Sequence, residues 1–302
     1  MAIWTMRQVL CCLIGSTCFT LTVSLGSYSL WTKSKDKRLS NPAYAISSLI
    51  QTGPEKEALK TAYLAELLHL SIDHPTNLFA LNTKKGERKL LASPLIAEAH
   101  IKKMPPNTLY IDYEVRKPVA SLGDYQNIAI DKWGYIFPMS PFFSPKELPE
   151  IYLGLPPFEG REDSMGRKGA FWGVQIQNQY LDLAFEVLQF LEGSPWRDGL
   201  RIKRIDVSNA FALSLGQREI VLFTEEDLLF NRGEENVCCT FPKMLRLSPK
   251  EYMQQMNNFL TLRKNMIEDY RRQLASAALP QAGRFSPRTV DLRIPHLAFV
   301  EN

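Results

Sequence analysis

The alternation of apolar and polar positions divides the chain into stretches of distinct period. No charged residue occurs at positions 8–32. As a helix, residues 9–31 would reach across a hydrocarbon core of about 30 Å. Trp4, Tyr28 and Trp31 stand near the ends of that stretch, where aromatic rings favour a membrane interface. Seven of its 23 residues are Ser or Thr. Hydroxyls in a helix can bond back to the preceding turn, which lowers their cost. The segment is therefore expected to be a transmembrane helix preceded by a cytoplasmic tail, residues 1–8. A cleaved signal peptide competes, with Arg7 as its basic start and small-x-small sites at 24–26 and 27–29. A buried core helix is a third reading. Lys33, Lys35, Lys37 and Arg38 outweigh Arg7 across the segment. Taken alone, that asymmetry keeps the C-terminal side in the cytoplasm. Large domains translocate largely regardless of it, so orientation has to come from elsewhere.

Residues 32–43 read as a polar linker. A short strand is then expected over 44–51, ending at Thr52-Gly53-Pro54. Leu59, Ala62, Tyr63, Leu67 and Leu70 recur at close to 3.6 residues and predict a helix over 56–70. A second, weaker helix is expected over 84–92 despite Gly86. Ala97, Ala99 and Ile101 alternate with Glu98, His100 and Lys102; Leu109, Ile111, Tyr113 and Val115 alternate with polar neighbours. Period 2 with one apolar face predicts two half-buried strands, joined by a turn at Met104-Pro105-Pro106-Asn107. The order strand, helix, helix, strand, strand fits one sheet carrying two helices on one face.

Past Lys117-Pro118 the pattern changes to short strands, expected over 119–122, 128–131, 135–137 and 150–153. Loops rich in Pro or Gly separate them over 138–149 and 156–173. Residues 178–191 predict an amphipathic helix facing a core through Leu181, Ala184, Phe185, Leu188 and Leu191. A three-stranded meander is expected from Ile202, Ile205 and Val207, through Phe211, Leu213 and Leu215, to residues 220–223. A long charged helix over 251–276, a basic link over 284–288 and a terminal strand over 289–300 complete the chain.

Composition narrows the possibilities. With 302 residues, 45% hydrophobic and 23% charged, the chain is not disordered. A net charge of +4 gives no reason to expect nucleic acid as a partner. Five Cys do not make a disulfide scaffold: Cys11, Cys12 and Cys18 lie in the apolar N-terminal stretch. Cys238 and Cys239 are adjacent, and neighbours on an extended strand point to opposite faces.

The run Ile101-Lys102-Lys103, Pro106-Asn107-Thr108-Leu109-Tyr110-Ile111, Arg116-Lys117-Pro118-Val119-Ala120 and Asp131-Lys132-Trp133-Gly134-Tyr135-Ile136-Phe137 resembles the FtsQ/DivIB family of bacterial cell-division proteins. Leu148-Pro149-Glu150-Ile151 with Gly154 resembles that family's LP-x-L-x-G. Val290-Asp291-Leu292-Arg293 with Ala298-Phe299-Val300 resembles its final VDLR strand. Pro105 replaces the family Trp, and Val115 stands where the family has Glu, as in a divergent member. The resemblance implies an α+β fold: one transmembrane helix, a POTRA module (β-α-α-β-β) over 44–117, and a mixed α/β domain with an antiparallel sheet over 118–302. It also implies a single-pass inner-membrane protein, N-terminus cytoplasmic and bulk periplasmic. Such a protein is a non-catalytic divisome scaffold that connects early components to septal peptidoglycan synthesis through small bitopic coiled-coil partners. An accessory factor of protein transport or outer-membrane assembly is the alternative, since POTRA modules occur there too; those chains usually carry several copies or a barrel.

Candidate chemistry is sparse. His69 and His74 with Asp73 lack the helical spacing of a zinc pair. Ser34-Lys35-Asp36-Lys37 fits Ser-x-x-Lys but has no Ser-Asp-Asn or Lys-Thr-Gly companion. Gly166, Gly169 and Gly173 do not make a phosphate cradle. Lys84, Lys85, Arg88 and Lys89 read as a solvated helix face, and Asp131 with Gly134 as a turn. No catalytic residue, metal, cofactor or small-molecule substrate is expected. Pro295 cannot donate to a ladder, so the terminal strand reads as an interrupted edge. A partner strand is expected to dock there by completing the sheet, using Asp291, Leu292, Arg293, Ile294, Leu297, Ala298, Phe299 and Val300. Phe299 is the expected anchor; packing of its ring into the domain's own core is the competing reading.

Overall fold

In a computed structural model, residues 6–156, 173–193, 199–232, 235–276 and 288–301 are described. The chain divides into two compact units, Met1–Val115 and Arg116–Asn302.

The first unit begins with a 35-residue helix, α1 (Met6–Ser40). The stretch expected to form a polar linker is thus helical as far as Ser40, because no Gly or Pro interrupts it before Pro42. Among the described residues no helix is long and apolar enough to cross a membrane. The hydroxyls of 9–31 dilute its hydropathy. Several of them bond back as expected: Thr20 Oγ1 to the carbonyls of Ser16 and Thr17, and Thr22 Oγ1 to those of Cys18 and Phe19.

Next come β1 (Ser48–Thr52), α2 (Thr61–Leu67), α3 (Thr83–Leu91), β2 (Ile96–Met104) and β3 (Thr108–Val115). The sheet order is β1-β3-β2, with β1 parallel and β2 antiparallel to β3. This is the strand-helix-helix-strand-strand set that the alternation predicts. Leu109, Ile111, Tyr113 and Val115 are buried on one face with Ala99 and Ile101. Leu64, Leu68, Leu78 and Leu90 close the core from the helical side. Helix α2 starts five residues later than its apolar period suggests. The buried Tyr113 hydroxyl accepts the Leu59 backbone N–H at 2.8 Å, and Lys60 holds extended angles as N-cap. α3 lies close on β2 at Gly86, where a Cβ would sit 2.7 Å from Ile101 Cδ1.

The second unit contains β4 (Pro118–Leu122), β5 (Ile128–Asp131), β6 (Ile136–Pro138), β7 (Glu150–Tyr152), α4 (Gln179–Glu192), β8 (Leu200–Asp206), β9 (Ile220–Arg232), β10 (Glu235–Leu247), α5 (Tyr252–Ser276), β11 (Arg288–Asp291) and β12 (Phe299–Glu301). They form one nine-stranded mixed sheet, ordered β12-β11-β10-β9-β8-β7-β4-β5-β6. Leu181, Ala184, Val187, Leu188 and Leu191 of α4 share a core with Tyr252, Met256, Phe259 and Met266 of α5. Asn178 caps α4, its side chain accepting the Leu181 N–H at 2.8 Å.

Three expectations need correction here. The middle strand of the meander does not form. Phe211, Leu213 and Leu215 lie in a turn and a short 3₁₀ segment, Leu215–Gln217, with Leu213 fully exposed, because no neighbouring strand offers them a ladder. The strand expected over 220–223 runs on to Arg232 and pairs with β10 in a long hairpin not expected from the sequence. Glu226 is 1% exposed and accepts from Lys243 Nζ at 2.8 Å and Arg263 Nη2 at 2.6 Å. The terminal strand is two strands, β11 and β12, which pair antiparallel. Cys238 is exposed and Cys239 buried on β10, the opposite facing expected of neighbours. Gly166, Gly169 and residues 284–287 of the basic link lie outside the described residues.

The Asp131 turn is structural throughout. Its Oδ1 accepts the N–H groups of Trp133 and Tyr135, each at 2.9 Å, and its Oδ2 accepts Arg116 Nη1 at 2.8 Å. Gly134 holds φ +84°, and a Cβ there would lie 2.5 Å from the Ile176 carbonyl.

Candidate functional site

The two ends of the large sheet are built differently. At the β6 end, Ile136 N–H donates to the Val174 carbonyl at 3.1 Å, and its carbonyl accepts Gly173 N–H at 3.0 Å. Residues 173–176 thus cover that edge. At the other end β12 pairs on one side only, with β11, through Thr289–Glu301, Val290–Val300 and Asp291–Phe299. Its outer side has no strand neighbour among the described residues. An uncovered edge offers backbone groups as a template for another strand.

Beneath β12 the hairpin is anchored firmly. Val290 and Leu292 are buried in the core, and Leu292 N–H donates to the Arg246 carbonyl at 2.9 Å. Asp291 takes Arg293 in a two-point grip, Nε to Oδ1 at 3.0 Å and Nη2 to Oδ2 at 2.7 Å. Arg293 Nη1 reaches Glu219 at 3.2 Å, and Arg246 bridges Glu219 at 2.7 Å and Asp291 at 3.5 Å. Two carboxylates and two guanidiniums therefore alternate in one half-buried network. Burial pushes the Asp291 carboxyl up, but the bonds and charge of Arg293 outweigh it and hold the group below its usual range. The Asp291 bond in turn raises Arg293 above its ordinary value.

The turn between β11 and β12 passes through Pro295 and through His296 at φ +63°. At and beyond it the apolar side chains face solvent: Ile294, Leu297 and Phe299 are each over 60% exposed, and Ala298 and Val300 are also exposed. A groove of about 410 Å³ runs between this turn and α5, lined by Gln254, Asn258, Leu262, Leu292, Leu297 and Ala298 among others.

The residues expected to bind a partner thus separate into two groups. Asp291, Leu292 and Arg293 are committed to the domain's own architecture. Ile294, Leu297, Ala298, Phe299 and Val300 are exposed. The Phe299 ring does not pack into the core. Sequence reasoning did not find Glu219 and Arg246, whose role depends on a sheet register that brings distant residues together.

No group of three or more His, Cys, Asp or Glu suited to a metal occurs among the described residues. His69 closes the end of α2 at φ +55°.

The first unit is of the POTRA class. Residues 56–113 match the family model of the POTRA domain, FtsQ-type. The match covers the POTRA domain alone, and the motif residues Ile101 to Ile111 fall inside it. A search of curated proteins returned no match.

Proposed function

We propose that this chain is a bitopic inner-membrane cell-division protein. It acts as a non-catalytic periplasmic scaffold, linking early division components to septal peptidoglycan synthesis. The FtsQ-type POTRA domain points to the cell-division family. The open β12 edge with its exposed apolar side chains carries the docking mechanism. A partner strand adds to β12, main-chain bonds supply affinity, and alternate side chains select the partner. Phe299 is the anchor, since large aromatics dominate interface energetics.

Helix α1 is the anchor in the membrane. Phe19, Leu21, Leu25, Leu30 and Trp31 are exposed around it, and no described side chain along positions 15–31 is buried. Apolar side chains spread around a helix, with no single stripe to bury, need a covering medium. A bilayer supplies one, and the back-bonded hydroxyls limit the polar cost.

The test is deletion of residues 297–302 from the full-length chain. Because the side chains of residues 297–301 are exposed, the melting transition stays within a few degrees of the parent. Co-purification with membrane division partners is lost. A truncated chain that keeps its transition and still retains those partners would place the interface elsewhere.

A further inference from the structure

The first unit carries two basic segments, at the end of α1 and on α3, joined through a short connection at residues 77–82. Lys33, Lys35, Lys37 and Arg38 occupy the last turns of α1, all exposed. Lys84, Lys85 and Arg88 stand exposed on α3, with half-exposed Lys89 beside them. None of these has a carboxylate within 4.0 Å among the described residues. The acids close to them in sequence are Asp36 and Glu87, and Glu87 is engaged by the Ile101 N–H at 3.0 Å.

Asn77 fixes the end of α1 to the chain that leads into α3. Its Nδ2 donates to the carbonyls of Arg38 at 3.1 Å and Leu39 at 3.0 Å. The Arg38 guanidinium lies 5.6 Å from the Phe79 ring centre. Asn82, the N-cap of α3, follows directly, its side chain accepting Lys85 N–H at 3.0 Å. Five residues of chain span at most about 18 Å, which bounds the distance from Asn77 to Asn82 at the start of α3. Lys35 Nζ sits 5.3 Å from the Trp31 ring, a cation at the aromatic border of the uncharged stretch.

We propose that these cations form a collar that binds anionic phospholipid headgroups of the membrane holding α1, and so seats the POTRA unit against that surface. The proposal rests on α1 as anchor. Its chemistry is charge complementarity: lysines and arginines without carboxylate partners, next to a segment that enters the bilayer, gain most from an anionic surface within a Debye length. It also accounts for the otherwise unfavourable excess of positive charge on the C-terminal side of α1.

The test is lysine acylation footprinting of the full-length chain in vesicles. One set is phosphatidylcholine alone; the other contains about 30% phosphatidylglycerol, a charge density in the range where basic segments are held. Labelling of Lys33, Lys35, Lys37, Lys84 and Lys85 is expected to fall about threefold with phosphatidylglycerol and to recover at high salt. Labelling of exposed Lys250 and Lys264 stays constant. Flotation separates this proposal from the anchor. A chain that floats with both vesicle types but shows unchanged labelling at Lys84 and Lys85 overturns the collar and leaves the anchor standing. Flotation only with phosphatidylglycerol, reversed by salt, overturns the anchor and supports the collar. Flotation with neither overturns both. Protection by soluble polyglutamate and not by vesicles would assign the collar to an acidic polymer and overturn the lipid assignment.

Discussion

Replacing Glu226 by Gln tests the buried ion cluster under α5. The Glu226 side chain is 2% exposed, Lys243 0% and Arg263 18%. Burial pushes the Glu226 carboxyl up, yet the bonds from Arg263 and Lys243 hold it below its ordinary value. Burial depresses the Lys243 ammonium below its ordinary value, against the pull of Glu226. Gln keeps the shape and removes the charge, so Lys243 is left as a buried cation without a counter-charge. Breaking a buried pair from one side costs about 3–5 kcal/mol. For a unit of this size that lowers Tm by roughly 6–20 °C. The pH dependence follows from Lys243. Its folded pKa lies below its unfolded value near 10.5, so the unfolded chain binds more protons between the two. The Glu226→Gln deficit should therefore shrink as pH rises through that window. Adding Lys243→Met should recover most of the loss, since an apolar replacement removes the orphaned charge. Differential scanning calorimetry of the single and double variants over pH reads all three effects. A Glu226→Gln loss under about 1 kcal/mol, with no recovery in the double variant, would refute the reasoning.

Further outcomes follow from the same structure. Asp291→Asn should lower Tm at neutral pH, because the Asp291 contribution is present above its unfolded pKa and lost as pH falls through its lower folded value; the gap from the parent narrows below about pH 4 in thermal melts. Gly134→Ala should cost about 2 kcal/mol or more in denaturant unfolding, since φ +84° and the Ile176 carbonyl 2.5 Å away both oppose a Cβ. Phe299→Ala should change stability by no more than about 0.5 kcal/mol while weakening capture of division partners from membranes. Alkaline phosphatase fused after Arg38 should be active; activity from a cytoplasmic reporter alone at that point would overturn the orientation.

The POTRA unit was legible because local rules suffice there. Ala99 and Ile101 are buried while His100 and Lys102 are exposed, which is what period 2 means on a half-covered sheet. Helix α4 was legible for the matching reason at period 3.6. The β9–β10 hairpin failed the same test. The expected strand stops at Phe223, short of Thr224-Glu225-Glu226-Asp227, and no strand is expected around Pro242-Lys243. Their burial depends on partners distant in sequence: Lys243 lies 17 residues from Glu226 and Arg263 lies 37. No local window contains that compensation. Phe211, Leu213 and Leu215 erred in the other direction, because alternation marks a strand only where a neighbour exists to pair with it. At the candidate site, Pro295 correctly marked an interruption. Asp291 and Arg293 looked available, and only the register beside Arg246 and Glu219 shows them locked into the fold.

The central claim is that a partner docks on the β12 edge, and site-specific photocrosslinking in intact membranes tests it most directly. A photoreactive phenylalanine analogue replaces Phe299 in one full-length chain and Trp133, exposed beside the covered β6 edge, in another. The account predicts an adduct with a membrane division protein from position 299 and none from position 133. Adducts absent at 299, or equally strong at 133, would contradict it.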